Sequence, residues 1–362
     1  NGDGELMADF STIKGFSVKT LSSDPSLPGA AGATWASAPA INIARDNMGA
    51  AGASNTAALI FGGDGPALTP PHQASTESYN GTAWTEVADL SKPYGSLFGF
   101  GSQTSAMQAS GNSPPGHVKQ TTSEQWDGTS WTSAPAINTA RGLGAASGTV
   151  NTAGLIFGGW FNPSPVLAIT ESFNGSAWTE VADLNTGRQY FGGSQQGSST
   201  AALAFGGESP PGTAATEKWD GTSWTEVGDL NTARAQNKGA GSSTAALSIG
   251  GYVSPNYQVI TESYDGSTWT EVADLASAVA LQGTAGVSTS AISTGGQPYP
   301  ITATEVFSGG TSIAQEGQVW YNSTSQTLKG FGQQGTGAWA SASVMNTQRG
   351  DLTGTGLSTA AL

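Results

Sequence analysis

Seven tryptophans, Trp35, Trp84, Trp131, Trp178, Trp224, Trp269 and Trp339, stand in nearly the same local phrase. The first five steps between them are 49, 47, 47, 46 and 45 residues, and the last is 70. A period of this length marks a repeat architecture, in which each unit buries its apolar face only against its neighbours. This constrains the fold more than any composition value.

The unit from Arg141 to Asp183 reads as four short strands. Small residues 142–147 form the first, and apolar residues 152–157 form the second, ending in Gly158-Gly159. After a Pro- and aromatic-rich loop, residues 169–173 alternate as a half-buried strand does. Asn174-Gly175 then signals a tight hairpin turn into the fourth strand, which carries Trp178. Four antiparallel strands per unit predict an all-β propeller. Small residues suit an innermost strand crowded around a central channel. The bulky Trp suits a wedge between blades, burying about 150–250 Å².

The phrase resembles the kelch repeat. The resemblance rests on Gly-Gly after the second strand (Gly62-Gly63, Gly158-Gly159, Gly206-Gly207, Gly250-Gly251, Gly295-Gly296) and on the third-strand aromatic (Tyr79, Trp126, Phe173, Trp219, Tyr264, Phe307). It rests also on the fourth-strand Trp and on a connecting Arg (Arg45, Arg141, Arg188, Arg234, Arg349). The second unit departs, with Ala109-Ser110-Gly111 and Tyr94, and the sixth has Val279 at the Arg position. The resemblance implies a kelch-like β-propeller and leaves activity open.

Counting strands favours seven blades, the last drawing two strands from each end of the chain. Six blades are the alternative, with the Trp35 strand completing the blade begun at residue 280 and residues 311–362 starting something else. The corresponding division is a closing segment 1–34, blades 35–310, an inserted hairpin 311–335 around Gly317-Gln-Val-Trp-Tyr-Asn322, and final strands 336–362. The start, Asn1-Gly-Asp-Gly, lacks the pattern of a signal peptide and reads as a processed chain or a fragment.

Composition narrows the partners. Only 10% of the 362 residues are charged, and the net charge is −14. Such a chain repels phosphate backbones and anionic membranes, so neither nucleic-acid binding nor membrane insertion is expected. There is no cysteine, which removes disulfides, thiolate metal sites and thiol nucleophiles. Some kelch-like propellers are copper oxidases built on a Cys–Tyr crosslink and histidines. This chain, with no Cys and two His, lacks those parts. No cofactor or metal is expected.

Function is sought in the loops between second and third strands, 64–74, 112–120, 160–168, 208–214, 252–258 and 297–300. They share a face with the blade-to-blade connections and differ from one another, as binding loops on a rigid scaffold do. Candidate binding residues are Trp160, Phe161, Tyr252, Tyr257 and Tyr299, flat surfaces on which sugar rings stack, with His72 and His117. Those loops equally serve as plain caps on the blades. The repeated acids Glu77, Glu124, Glu171, Glu217, Glu262 and Glu305 occupy one third-strand position. Six equivalent acids lack the differing surroundings of a glycosidase pair and read as structural partners of the loop arginines or of backbone amides.

The phrase "WTEVADLNTGR…STAALAFGG" and the segment "GQVWYNSTSQTLKGF" are similar to structural and fibre proteins of marine bacteriophages. That similarity implies a non-enzymatic virion protein, extracellular and associated with other virion proteins or with copies of itself. Its role would be recognition of a host-surface glycan or protein. A purely architectural fibre or capsid subunit, or a glycan-degrading enzyme, are the alternatives.

Overall fold

The computed structural model describes residues 19–21, 33–65, 72–114, 118–161, 166–208, 212–298, 301–309, 319–322 and 327–330. Every regular element among them is a strand. The chain divides into two compact units, Ala33–Gly309 and a second made of residues 1–32 with 310–362.

The larger unit is a six-bladed β-propeller. Blade 1 runs Gly49–Ser54, Ala57–Phe61, Thr76–Tyr79 and Trp84–Val87. Blade 2 runs Phe98–Ser102, Ser105–Ala109, Ser123–Trp126 and Trp131–Ala134. Blade 3 runs Ala145–Val150, Ala153–Phe157, Thr170–Phe173 and Trp178–Val181. Blade 4 runs Gly192–Gly193, Ala202–Phe205, Thr216–Trp219 and Trp224–Val227. Blade 5 runs Lys238–Gly241, Ala246–Ile249, Thr261–Tyr264 and Trp269–Glu271.

Blade 6 takes three strands from late in the chain, Gly283–Val287, Ser290–Thr294 and Thr304–Ser308, and its outermost strand, Thr34–Ala38, from early in it. Trp35 pairs with Phe307 there, in register with the Trp–aromatic pairs of the other blades. The ring therefore closes at six, and the preference for seven gives way to its alternative. Thr34–Ala38 supplies the fourth strand that blade 6 lacks, and blade 6 then packs directly on blade 1. Ala285 and Ile292 share a core cluster with Ala50, Ala58 and Ile60, and Asn55 Nδ2 donates to the Phe307 carbonyl at 2.9 Å. Trp339, Arg349 and the end strands expected to close a seventh blade lie outside the described residues. In the second unit, Val319–Asn322 pairs antiparallel with Thr327–Gly330 and parallel with Lys19–Leu21.

The indoles are inter-blade wedges. Nε1 of Trp131, Trp224, Trp269 and Trp35 donates, each at 3.1 Å, to Thr76, Thr170, Thr216 and Thr261, the opening third-strand residue of the preceding blade. The rings also pack on second-strand aromatics of that blade, as in Phe61–Trp131 at 4.8 Å and Phe205–Trp269 at 4.8 Å. Burying an aromatic of this size contributes roughly 4–6 kcal/mol as an upper bound. The innermost strands are small because they nearly touch. A Cβ on Gly239 would lie 2.3 Å from the Gly193 carbonyl oxygen, and one on Gly99 2.7 Å from the Ala50 nitrogen.

Candidate functional site

The loop face is assembled by one backbone device in every blade. After the second strand, the residue at the first Gly position turns left-handed, with φ between 58° and 69° at Gly62, Ser110, Gly158, Gly206, Gly250 and Gly295. Ser110 thus does in blade 2 what glycine does elsewhere. The residue following the second position then pairs with the incoming connection, as in Gly142 with Trp160, Ala235 with Tyr252 and Ala280 with Gln297. Every second-to-third-strand loop is anchored at its root beside a blade-to-blade connection.

Two residues beyond each Arg position, the six connections meet one another. The N–H of Ser96 donates to the carbonyl of Asn47 at 3.0 Å, Leu143 to Ser96 at 3.2 Å, and Tyr190 to Leu143 at 2.7 Å. Gln236 donates to Tyr190 at 2.6 Å, Leu281 to Gln236 at 3.0 Å, and Asn47 to Leu281 at 2.9 Å, which closes the circle. All six are left-handed, with φ from 49° to 63°. That conformation is costly for non-glycine residues. It is held because each residue both donates and accepts within a hydrogen-bonded ring, whose members polarise one another.

The channel is narrow, a cavity of about 40 Å³ lined by the innermost strands of all six blades, and Lys238 is the charged residue in that lining. Burial pulls its ammonium down to about 8, partly offset by Asp46. Lys119 is likewise pulled down to about 8 by burial, with Asp64 working against the shift. Burial raises the Tyr190 phenol, and Glu208, Asp46 and Asp64 add to the rise.

The expected binding residues separate into two clusters. In the first, Trp160 is half-buried, and its ring centroid lies 5.4 Å from Lys119 Nζ of the neighbouring blade. That is a cation–π distance. Phe161 beside it is 38% exposed. In the second, Tyr252 and Tyr257 pair across a small hairpin, Tyr252–Val253 with Asn256–Tyr257, with ring centroids 5.3 Å apart. Tyr257 donates its hydroxyl to Gln297 of blade 6 at 3.0 Å. No ring contact joins the two clusters among the described residues. His72 is buried, its Nδ1 2.5 Å from Asp64 Oδ1 in its own loop. Tyr299 and His117 lie outside the described residues. The described residues contain no cluster of three His, Cys, Asp or Glu side chains placed to hold a metal.

Four of the six repeated glutamates meet the connecting arginines. Arg45–Glu77, Arg141–Glu171, Arg188–Glu217 and Arg234–Glu262 form ion pairs at essentially zero exposure. Asn42, Asn138 and Asn231 add both a backbone and a side-chain N–H to the same carboxylates. Three features were not found from sequence: Lys119 beneath Trp160, Lys238 in the channel and the ring of amides. A lysine preceding a variable aromatic loop was the available signal for Lys119, but its contact crosses from one blade to the next. Compared with known proteins, the chain matches no family model and no curated protein.

Proposed function

We propose that the propeller is a non-enzymatic recognition module of a phage virion. In this reading it is a kelch-type array, and the loop face of blades 2, 3 and 5 binds a host-envelope glycan. The observation that carries this is the Trp160 platform, an indole with a lysine on its ring and Phe161 exposed beside it, anchored on the hydrogen-bonded amide ring. An aromatic face of this kind stacks on the apolar side of a sugar ring. The repeated acids of blades 1, 3, 4 and 5 support the non-enzymatic part, because arginine pairs already occupy them.

Retention of the intact chain on immobilised bacterial envelope polysaccharides tests the reading. Trp160→Ala is expected to weaken retention by about 10-fold, roughly 1.4 kcal/mol, with the fold unchanged by circular dichroism. Equal retention of wild type and variant on every polysaccharide, or no retention at all, would overturn it. Self-association in place of retention would assign the face to contacts between copies.

A further inference from the structure

Blade 6 keeps the acid of the repeated ion pair and lacks both of its side-chain partners. Where the other connections carry Asn42, Ser91, Asn138, Asn185 and Asn231, this one has Ala276. Where four of them carry arginine, it has Val279. Glu305 is nevertheless 8% exposed. It accepts only the backbone N–H groups of Ala276, at 2.9 Å, and Ser277, at 3.3 Å. It has no ion pair among the described residues. Two backbone amides thus hold the carboxylate, where the other blades add a side-chain donor.

The missing arginine leaves space. A cavity of about 290 Å³ is lined by Val279, Glu305, Gly295, Ala303, Ile301 and their neighbours. A single water needs about 10–15 Å³, so this space is far larger than a packing flaw. Blade 2 shows the other way to lose the arginine. Tyr94 fills the position at 1% exposure and accepts a hydrogen bond from Thr122 Oγ1 at 2.9 Å, while Ser91 donates twice to Glu124. Blade 6 has no such filler.

The occupied blades show what fits. Arg45 Nη1 donates to the carbonyls of Gly62 at 3.2 Å and Ser75 at 2.7 Å, while Nη2 meets Glu77. Arg188 repeats this with Gly206 at 3.3 Å, Ala215 at 2.7 Å, and Glu217. The same acceptors in blade 6 are Gly295, Ala303 and Glu305, and all three line the cavity. We propose that this cavity is a binding pocket for a guanidinium group supplied from outside the propeller, as a small guanidine or as the arginine of a partner protein. A planar fork of donors matches two carbonyls and a carboxylate together, whereas an ammonium presents a compact point charge.

Calorimetric titration of the intact chain with n-propylguanidinium at pH 7 tests this. Saturable one-to-one binding is expected, with n-butylammonium at least about 10-fold weaker. Glu305→Gln should weaken binding by a similar factor. Val279→Arg should abolish it by placing a guanidinium in the pocket from within, and should raise Tm. Titration with acetyl-Gly-Arg-Gly-amide separates the sources: binding equal to the small guanidine points to a partner's arginine, and loss of binding points to a small molecule. No saturable binding to wild type, or equal binding to wild type and Val279→Arg, would overturn the proposal. Polysaccharide retention does not enter this test, so either reading can fail alone.

Discussion

Blades 3 and 6 carry the same glutamate at the same point of the third strand and treat it in opposite ways. Glu171 is locked by Arg141, with Asn138 on its other oxygen. Glu305 faces a cavity across from Val279 and leans on two backbone amides. Both blades form four antiparallel strands with the glutamate second in the third strand, so the pair is not what builds a blade. The wedges, the pleat and the turns suffice for that. The buried pair instead joins a connection to the third strand of its blade, and removing the acid leaves a buried guanidinium unpaired.

That coupling gives the largest expected effect. Glu171→Leu strands the buried Arg141 guanidinium, which burial already pulls below its ordinary value. It should cost about 3–5 kcal/mol, read as a fall in the urea midpoint. Glu305→Leu strands no cation and puts an apolar side chain against Val279 and Ile301, so it should change stability by less than about 1 kcal/mol. Equal losses in the two variants would break the comparison and mean that the acid matters to the blade itself.

What was legible in the sequence follows the same line. The Trp wedges, the paired glycines, the Asn-Gly turns and the Arg–Glu pairing repeat as side-chain identities, so reading one unit revealed all of them. Val279 and Glu305 were both visible as members of the pattern, yet a cavity exists only once second strand, third strand and connection are set in space. The amide ring was invisible for a different reason. Its members are Asn47, Ser96, Leu143, Tyr190, Gln236 and Leu281, which share a backbone conformation and no side-chain chemistry. Blade number turned on where the Trp35 strand docks. Its phrase fits the outer edge of either ring, and only its register with Thr304–Ser308 decides.

Lys238 sharpens the comparison from the cationic side, as a charge in the channel with no ion pair among the described residues. Burial lowers it from 10.5 to about 8. Below about pH 8, folded and unfolded chains both hold the proton, and the fold bears the full cost. Between about 8 and 10.5 only the unfolded chain holds it, so stability from this group rises with pH. Lys238→Met should therefore raise stability by roughly 1–3 kcal/mol at pH 7, with the advantage shrinking as pH approaches 10. Urea midpoints of both proteins at matched pH isolate this from tyrosine ionisation. A constant difference across that range would place the ammonium in water.

The smallest effect concerns charges that need no counter-ion. Asp127 sits at a fully exposed hairpin turn, yet is drawn down to about 2 by the Thr129 hydroxyl and the N–H groups of Ser130 and Thr129. Asp220 is drawn to about 2 in the same way, by the Ser223 N–H, the Thr222 hydroxyl and the Thr222 N–H. Asn80 and Asn174 accept the equivalent bonds in blades 1 and 3 without titrating. With the folded value depressed below 3.8, the aspartates' contribution is present above about pH 4 and is lost as pH falls through about 2. Asp127→Asn with Asp220→Asn should leave the urea midpoint unchanged at pH 7 and flatten its decline between pH 4 and 2. An undiminished acid decline in the double variant would show that these two turns do not set it.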